Sequence, residues 1–212
     1  MLHKFLLTLM FYALLCGQAY AGDIDPAIFL PSAAENIILK AQDGSTTKRR
    51  CKSVSDGNFH IEERTRLAAG KIQEGVDWSQ YPPDMQQIMK GEKDIVNNYI
   101  LRADGPRITA ESLTFKGEGD VLLDLQKKHW IQHGKSNGKK IRINCKIVKR
   151  SKKKILGKLR TLLHVELTYV ADGATYKELK IIASGLWVIH RKIMCPGPPT
   201  VLITLEEDLN FK

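Results

Sequence analysis

From Arg107 to Leu205 apolar and polar residues alternate with a period of two, interrupted by short turns bearing Gly, Asp and Pro. That repeat puts one set of side chains on each face of a pleated strand, so the segment must fold as sheet with one face buried. Lys140–Val148 places Ile141, Ile143, Cys145 and Ile147 on one side and Arg142, Asn144 and Lys146 on the other. Leu159–Val170 repeats the pattern through Leu159, Leu163, Val165, Leu167 and Tyr169, with an exception at Thr161. Further strands are expected at Ile108–Phe115, Val121–Ile131, Thr175–Ala183, Leu186–Met194 and Thr200–Leu205, with a loop over His133–Gly138 and a Lys-rich turn before Leu159. Upstream, Thr46–Val54 and Asn58–Leu67 flank Ser55-Asp56-Gly57, and Asp-Gly between β-formers signals a hairpin.

Two segments change period. Ser32 and Glu35 are spaced as a capping box, and Ala34, Ile37, Ile38 and Ala41 follow at helical spacing, so a short helix is expected over about 33–42. A strand at Asn36–Gln42 competes with it. Pro82-Pro83-Asp84 opens a second pattern, in which Met85, Ile88, Met89, Ile95, Val96, Tyr99 and Ile100 share one face. A long amphipathic helix over about 83–101 is the expectation there. The fold class is α+β, mainly β. It comprises an antiparallel meander of seven to nine strands, as a curved sheet or barrel, with these two helices. In layout this is similar to periplasmic lipoprotein carriers and other lipid-binding half-barrels, a likeness of architecture without a shared residue motif.

The N-terminus reads as an export signal. Lys4 precedes an apolar run from Phe5 to Cys16, and Ala19-Tyr20-Ala21 offers small residues where a signal peptidase cuts, giving cleavage after Ala21. A run of about a dozen residues is short of the roughly 20 needed to cross a bilayer. Cys16 is a poor lipidation site because Leu15 stands where a small residue is required. The expected organisation is a cleaved signal over 1–21 and one mostly β domain over 22–212, periplasmic or secreted, with no transmembrane segment after cleavage.

Charge and cysteines narrow the partners. The chain carries 33 Lys+Arg against 23 Asp+Glu, a net charge of +10. The excess is densest from Lys146 to Arg160, where Lys149, Arg150, Lys152, Lys153, Lys154, Lys158 and Arg160 are candidates for contact with an anionic surface. No Phe, Tyr or Trp is interleaved with them, which disfavours nucleic acid. An anionic membrane surface or an acidic protein suits the interleaved aliphatics better. Lysines on a solvated hairpin that block edge-to-edge aggregation are the plainer explanation. Cys51, Cys145 and Cys195 remain after signal removal, so two of the three are disulfide candidates in an oxidising compartment, with a lean to Cys51–Cys145.

No catalytic constellation is visible, and neither a metal nor a cofactor is expected. His129 and His133 on one strand stand about 13 Å apart, too far to share a zinc ion. Ser184-Gly185 lacks the flanks of a nucleophile elbow. Glu62 and Glu63 point to opposite faces of a strand. Gly117-Glu-Gly119 lacks the rest of a phosphate loop. The reading is an exported non-enzymatic binding protein for an apolar or amphipathic ligand such as lipid, held against the helix face of Met85, Ile88, Met89, Ile95, Val96 and Tyr99. The alternative is a cell-envelope or secreted interaction protein that docks through the basic hairpin 146–160.

Overall fold

The computed structural model describes residues 24–33, 35–68, 78–112, 120–136, 139–171, 173–194 and 201–205. The export segment and Cys195 lie outside these residues. Twelve strands form one sheet: β1 (Ile37–Ala41), β2 (Thr46–Ser55), β3 (Asn58–Arg66), β4 (Ile95–Asp104), β5 (Arg107–Ser112), β6 (Asp120–Asp124), β7 (His129–Ser136), β8 (Lys139–Ile155), β9 (Lys158–Ala171), β10 (Ala174–Ala183), β11 (Trp187–Met194) and β12 (Val201–Leu205). A 3-10 turn, Pro26–Phe29, precedes them, and the helix α1 (Pro83–Met89) lies between β3 and β4.

Every ladder among the described residues is antiparallel, and all but one join sequence neighbours, while one neighbouring pair has no ladder. β1 pairs with β12, so the two ends of the sheet-forming chain meet. β6 and β7 approach each other without a ladder and form the seam of a nearly closed barrel. Hairpin chemistry sets the other joins. Asp56-Gly57 and Leu156-Gly157 both take positive φ at both positions, the turn whose twist matches that of its strands.

The main core includes Cys51, Ile61, Leu101, Ile108, Leu123, Trp130, Cys145, Leu163, Val165, Leu167 and Ile182, and a second buried cluster gathers Ile37, Leu39, Leu162, Ile181, Leu186 and Leu205. Phe29, fully buried, closes the main core from the N-terminal segment, whose 3-10 turn lies against β4 and β5. That segment is pinned to the β10–β11 turn. Gly185 N donates to Ile28 O at 2.6 Å, and Ser32 N donates to Gly185 O at 2.9 Å. Gly185 takes φ +74°, a conformation that favours glycine, and a Cβ there would stand 2.8 Å from Arg160 Nη1.

The expected helices and strand count are corrected. The 83–101 helix stops at Met89, because Gly91 at φ +72° caps it: Gly91 N donates to Ile88 O and Glu92 N to Gln87 O, a Schellman closure. The Ile95-Val96 pair beyond it is β-branched and starts β4. The remaining helix buries none of its residues, so it does not cover a concave face. The 33–42 helix is replaced by β1, in which Ile37 and Leu39 are buried and Ile38 is exposed. Glu35 bonds Arg160 and Lys158 instead of a helix cap. Val121–Ile131 divides into β6 and β7, the loop expected from His133 is largely β7, and the Lys-rich turn is the tip of a 17-residue β8. Twelve strands replace seven to nine.

Candidate functional site

The seam is where the sheet leaves its own side chains unmatched. β7 sets Trp130 opposite Cys145, and Cys145 lies opposite Leu167, so Trp130 faces the core. Across the gap, among the described residues, His133 N donates to Asp120 Oδ1 at 3.0 Å. A groove of about 670 Å³ runs along this line. Val121, Trp130 and Ile131 supply its apolar wall, and Arg107, Lys127, Arg142 and Lys146 oppose Asp124 and Glu166, an excess of two positive charges. Asp124 is buried and accepts from Arg107 Nε at 3.1 Å and from Gln126 N at 3.1 Å, so one cation of the four is matched inside the wall. Trp130 is 6% exposed, and its Nε1–H finds no hydrogen-bond partner among the described residues. An orphaned buried donor costs about 1–3 kcal/mol, so this one calls for an explanation.

The inner face also carries a charged network. Arg49 Nε donates to Glu63 Oε1 at 2.6 Å, its Nη1 donates to Val188 O at 2.6 Å, and Tyr99 Oη donates to Glu63 Oε1 at 3.0 Å. Burial alone would raise the Glu63 carboxyl, but the charge and hydrogen bond of Arg49 hold it below the usual carboxylate range. Burial pushes the Tyr99 hydroxyl well up. On β10 and β11, Glu178 accepts from Arg191 Nε at 2.7 Å, with Lys180 at 3.7 Å. Burial again opposes ionisation of Glu178, and the two cations outweigh it.

Both described cysteines are free and buried, which corrects the expected Cys51–Cys145 bridge. They sit on β2 and β8, separated in the sheet by β1, β12, β11, β10 and β9. Burial raises the Cys51 thiol and pushes Cys145 up to about 11, so neither is a ready thiolate.

The helix-face residues are not brought together as a pocket. Met85 is 45% exposed and Val96 is 39% exposed. Met85, Ile88 and Met89 lie on α1, whereas Ile95, Val96 and Tyr99 lie on β4, and Tyr99 points into the charged network. The basic hairpin is divided as well. Lys149 and Lys153 lie opposite His164 and Arg160, while Arg150, Lys152 and Lys154 lie opposite Leu163, Thr161 and Leu159 on the other face. Arg160 is buried and bonds Glu35 at 2.6 and 2.7 Å, and Lys158 bonds the same carboxylate at 2.6 Å.

Two histidines form a further cluster. His164 Nε2 is 3.2 Å from Ser151 Oγ, and His190 Nδ1 is 2.6 Å from Thr204 Oγ1. No carboxylate completes a triad in these bonds. Burial lowers both ring pKa values from 6.5, helped at His164 by Lys149 and at His190 by Lys192 and His164. A ring that resists protonation only when folded makes added protons favour unfolding. This contribution to stability is full above 6.5 and is lost as the pH falls below it. The urea midpoint is expected to drop between about pH 7.5 and pH 5.5, less steeply in His164→Gln/His190→Gln; equal slopes would refute the assignment.

No sequence motif singles out Trp130 beside His129. A tryptophan on the core side of an edge strand was the available signal, but only the register shows that the strand is an edge.

No protein-family model matches this sequence, and no curated protein matches it. Among solved structures, a candidate exported protein with a YmcC-like fold from Bacteroides fragilis is similar over 84% of this chain and 97% of its own, with a TM-score of 0.46 and 9% sequence identity.

Proposed function

We propose that this chain is an exported, non-enzymatic binding protein for an amphipathic ligand, and that the ligand enters at the β6–β7 seam. The observation that carries this reading is the Trp130 indole N–H, which has no partner among the described residues and is buried at the wall of a groove that combines an apolar surface with excess positive charge. An acceptor on the ligand satisfies that donor, the cations hold an anionic end, and Val121 and Ile131 meet the apolar part. The Ala19-Tyr20-Ala21 site behind an apolar run supports export, and no described helix is long and apolar enough to cross a membrane. Binding is favoured over catalysis because the described thiols are held neutral and the Ser151–His164 pair has no carboxylate bonded to it among the described residues.

Native mass spectrometry of the protein purified from its own compartment without detergent tests this. Extra mass released on denaturation is expected, and it names the ligand class. Trp130→Phe should then weaken that ligand roughly tenfold, the worth of one hydrogen bond of about 1–1.5 kcal/mol. The same change should leave the unfolding midpoint unchanged or raise it, since it deletes an orphaned donor. A bare chain at its calculated mass, or equal affinity in Trp130→Phe, would sink the reading.

A further inference from the structure

The outer face of β1–β4 gathers cations that lie far apart in the sequence. Ile38 pairs with Lys48, Lys48 with Arg64 and Arg64 with Val96, so one row across four strands reads aliphatic, cation, cation, aliphatic. The adjacent row sets Arg50 opposite Glu62. All four side chains of the first row are exposed, and Lys40, Arg50, Lys52 and Arg66 surround them, exposed as well. Six cations stand against two carboxylates, Glu62 and Asp94, an excess of four charges. The opposite faces of the same strands carry Ile37, Leu39, Cys51 and Ile61, all buried in the core.

Two features separate this face from an ordinary solvated one. Lys48 and Arg64 are like charges directly across a ladder, an arrangement that destabilises a sheet unless a counter-anion joins it. Beside them a depression of about 580 Å³ is lined by Lys48, Arg50 and Arg64 around Glu62. Glu62 is 4% exposed and bonds Arg50 Nε at 2.9 Å and Arg64 Nε at 2.8 Å. One ionised carboxylate thereby orients two guanidinium forks and leaves their remaining donors for a ligand.

We infer that the outer face of β1–β4, centred on Lys48, Arg50 and Arg64, docks this protein on an anionic lipid surface. Lipid fits better than a soluble polyanion because Ile38 and Val96 flank the cations on the same face, at 37% and 39% exposure, where the acyl boundary would meet them. β4 and β5 separate the Arg50–Glu62 pair from the seam, so the inference does not rest on the groove.

Flotation of the full chain, processed by its own export machinery, with phosphatidylglycerol–phosphatidylcholine vesicles tests it, with phosphatidylcholine vesicles as the neutral control. Binding is expected only to the anionic vesicles. Each lysine at such a surface is worth roughly fivefold, so Lys40→Gln/Lys48→Gln/Lys52→Gln should weaken binding about a hundredfold. Lys149→Gln/Lys152→Gln/Lys154→Gln changes the net charge equally and should bind within about twofold of the unaltered protein. Circular dichroism of both triple variants should match the parent, which separates docking from folding. Equal losses in the two triple variants would show a diffuse charge effect and overturn the inference. So would equal binding to neutral vesicles, or no binding to anionic ones.

Discussion

Replacing Arg49 with leucine is expected to cost about 3–5 kcal/mol of stability, because it leaves a carboxylate buried without its cation. Arg49 is 6% exposed and holds Glu63 through its Nε, while its Nη1 donates to the Val188 carbonyl on β11, beyond β1 and β12. Losing it strands Glu63, which among the described residues then keeps the Tyr99 hydroxyl as its hydrogen-bond donor, and leaves a β11 carbonyl short of a donor. Equilibrium urea unfolding measures the cost. Arg49→Leu/Glu63→Leu should recover a large part of it, since removing both charges also removes the desolvation penalty. A single variant that costs less than about 1 kcal/mol would show the pair to be a surface interaction, contrary to its burial.

Phe29→Ala is expected to cost about 3–5 kcal/mol, the range for emptying a fully buried phenylalanine site. The 3-10 turn that carries Phe29 starts at Asp25, whose carboxylate accepts from Ala27 N at 2.8 Å. Leu30 beside it is 3% exposed, and the Gly185 bonds fix the segment against the β10–β11 turn. If the N-terminal segment were a tether outside the barrel, the substitution would move the urea midpoint hardly at all. A large shift with an unchanged slope means that the segment unfolds with the sheet.

Much of the sheet was legible because alternation is a local property. The Asp56-Gly57 hairpin and the paired β8 and β9 follow from residues within one or two turns of each other. The helix misreading has an equally local cause. Ile88, Met89, Ile95 and Val96 fit a 3.6-residue repeat, and only the conformation of Gly91 shows that the repeat is broken between them. β1 was ambiguous because Ile-Ile-Leu suits either period, and its pairing with both β2 and β12 decides the matter. The seam tryptophan and the cation row were not legible, since each depends on which strand lies beside which.

The sequence by itself determined that this chain is a β meander with a buried inner face and a basic surface, because residue order dictates strand periodicity and charge. It also marked the N-terminal export pattern. Only the tertiary structure decided that β1 meets β12, that β6 and β7 stay unladdered, and that Arg49 and Glu63 neutralise each other inside. It likewise divided the obvious basic hairpin between two faces and assembled a second cationic face from β1, β2 and β3. The physical reason is that alternation tells which face a side chain takes, whereas register tells what stands opposite it. A one-residue slip between strands would leave the composition of this chain untouched and exchange its buried and exposed sides.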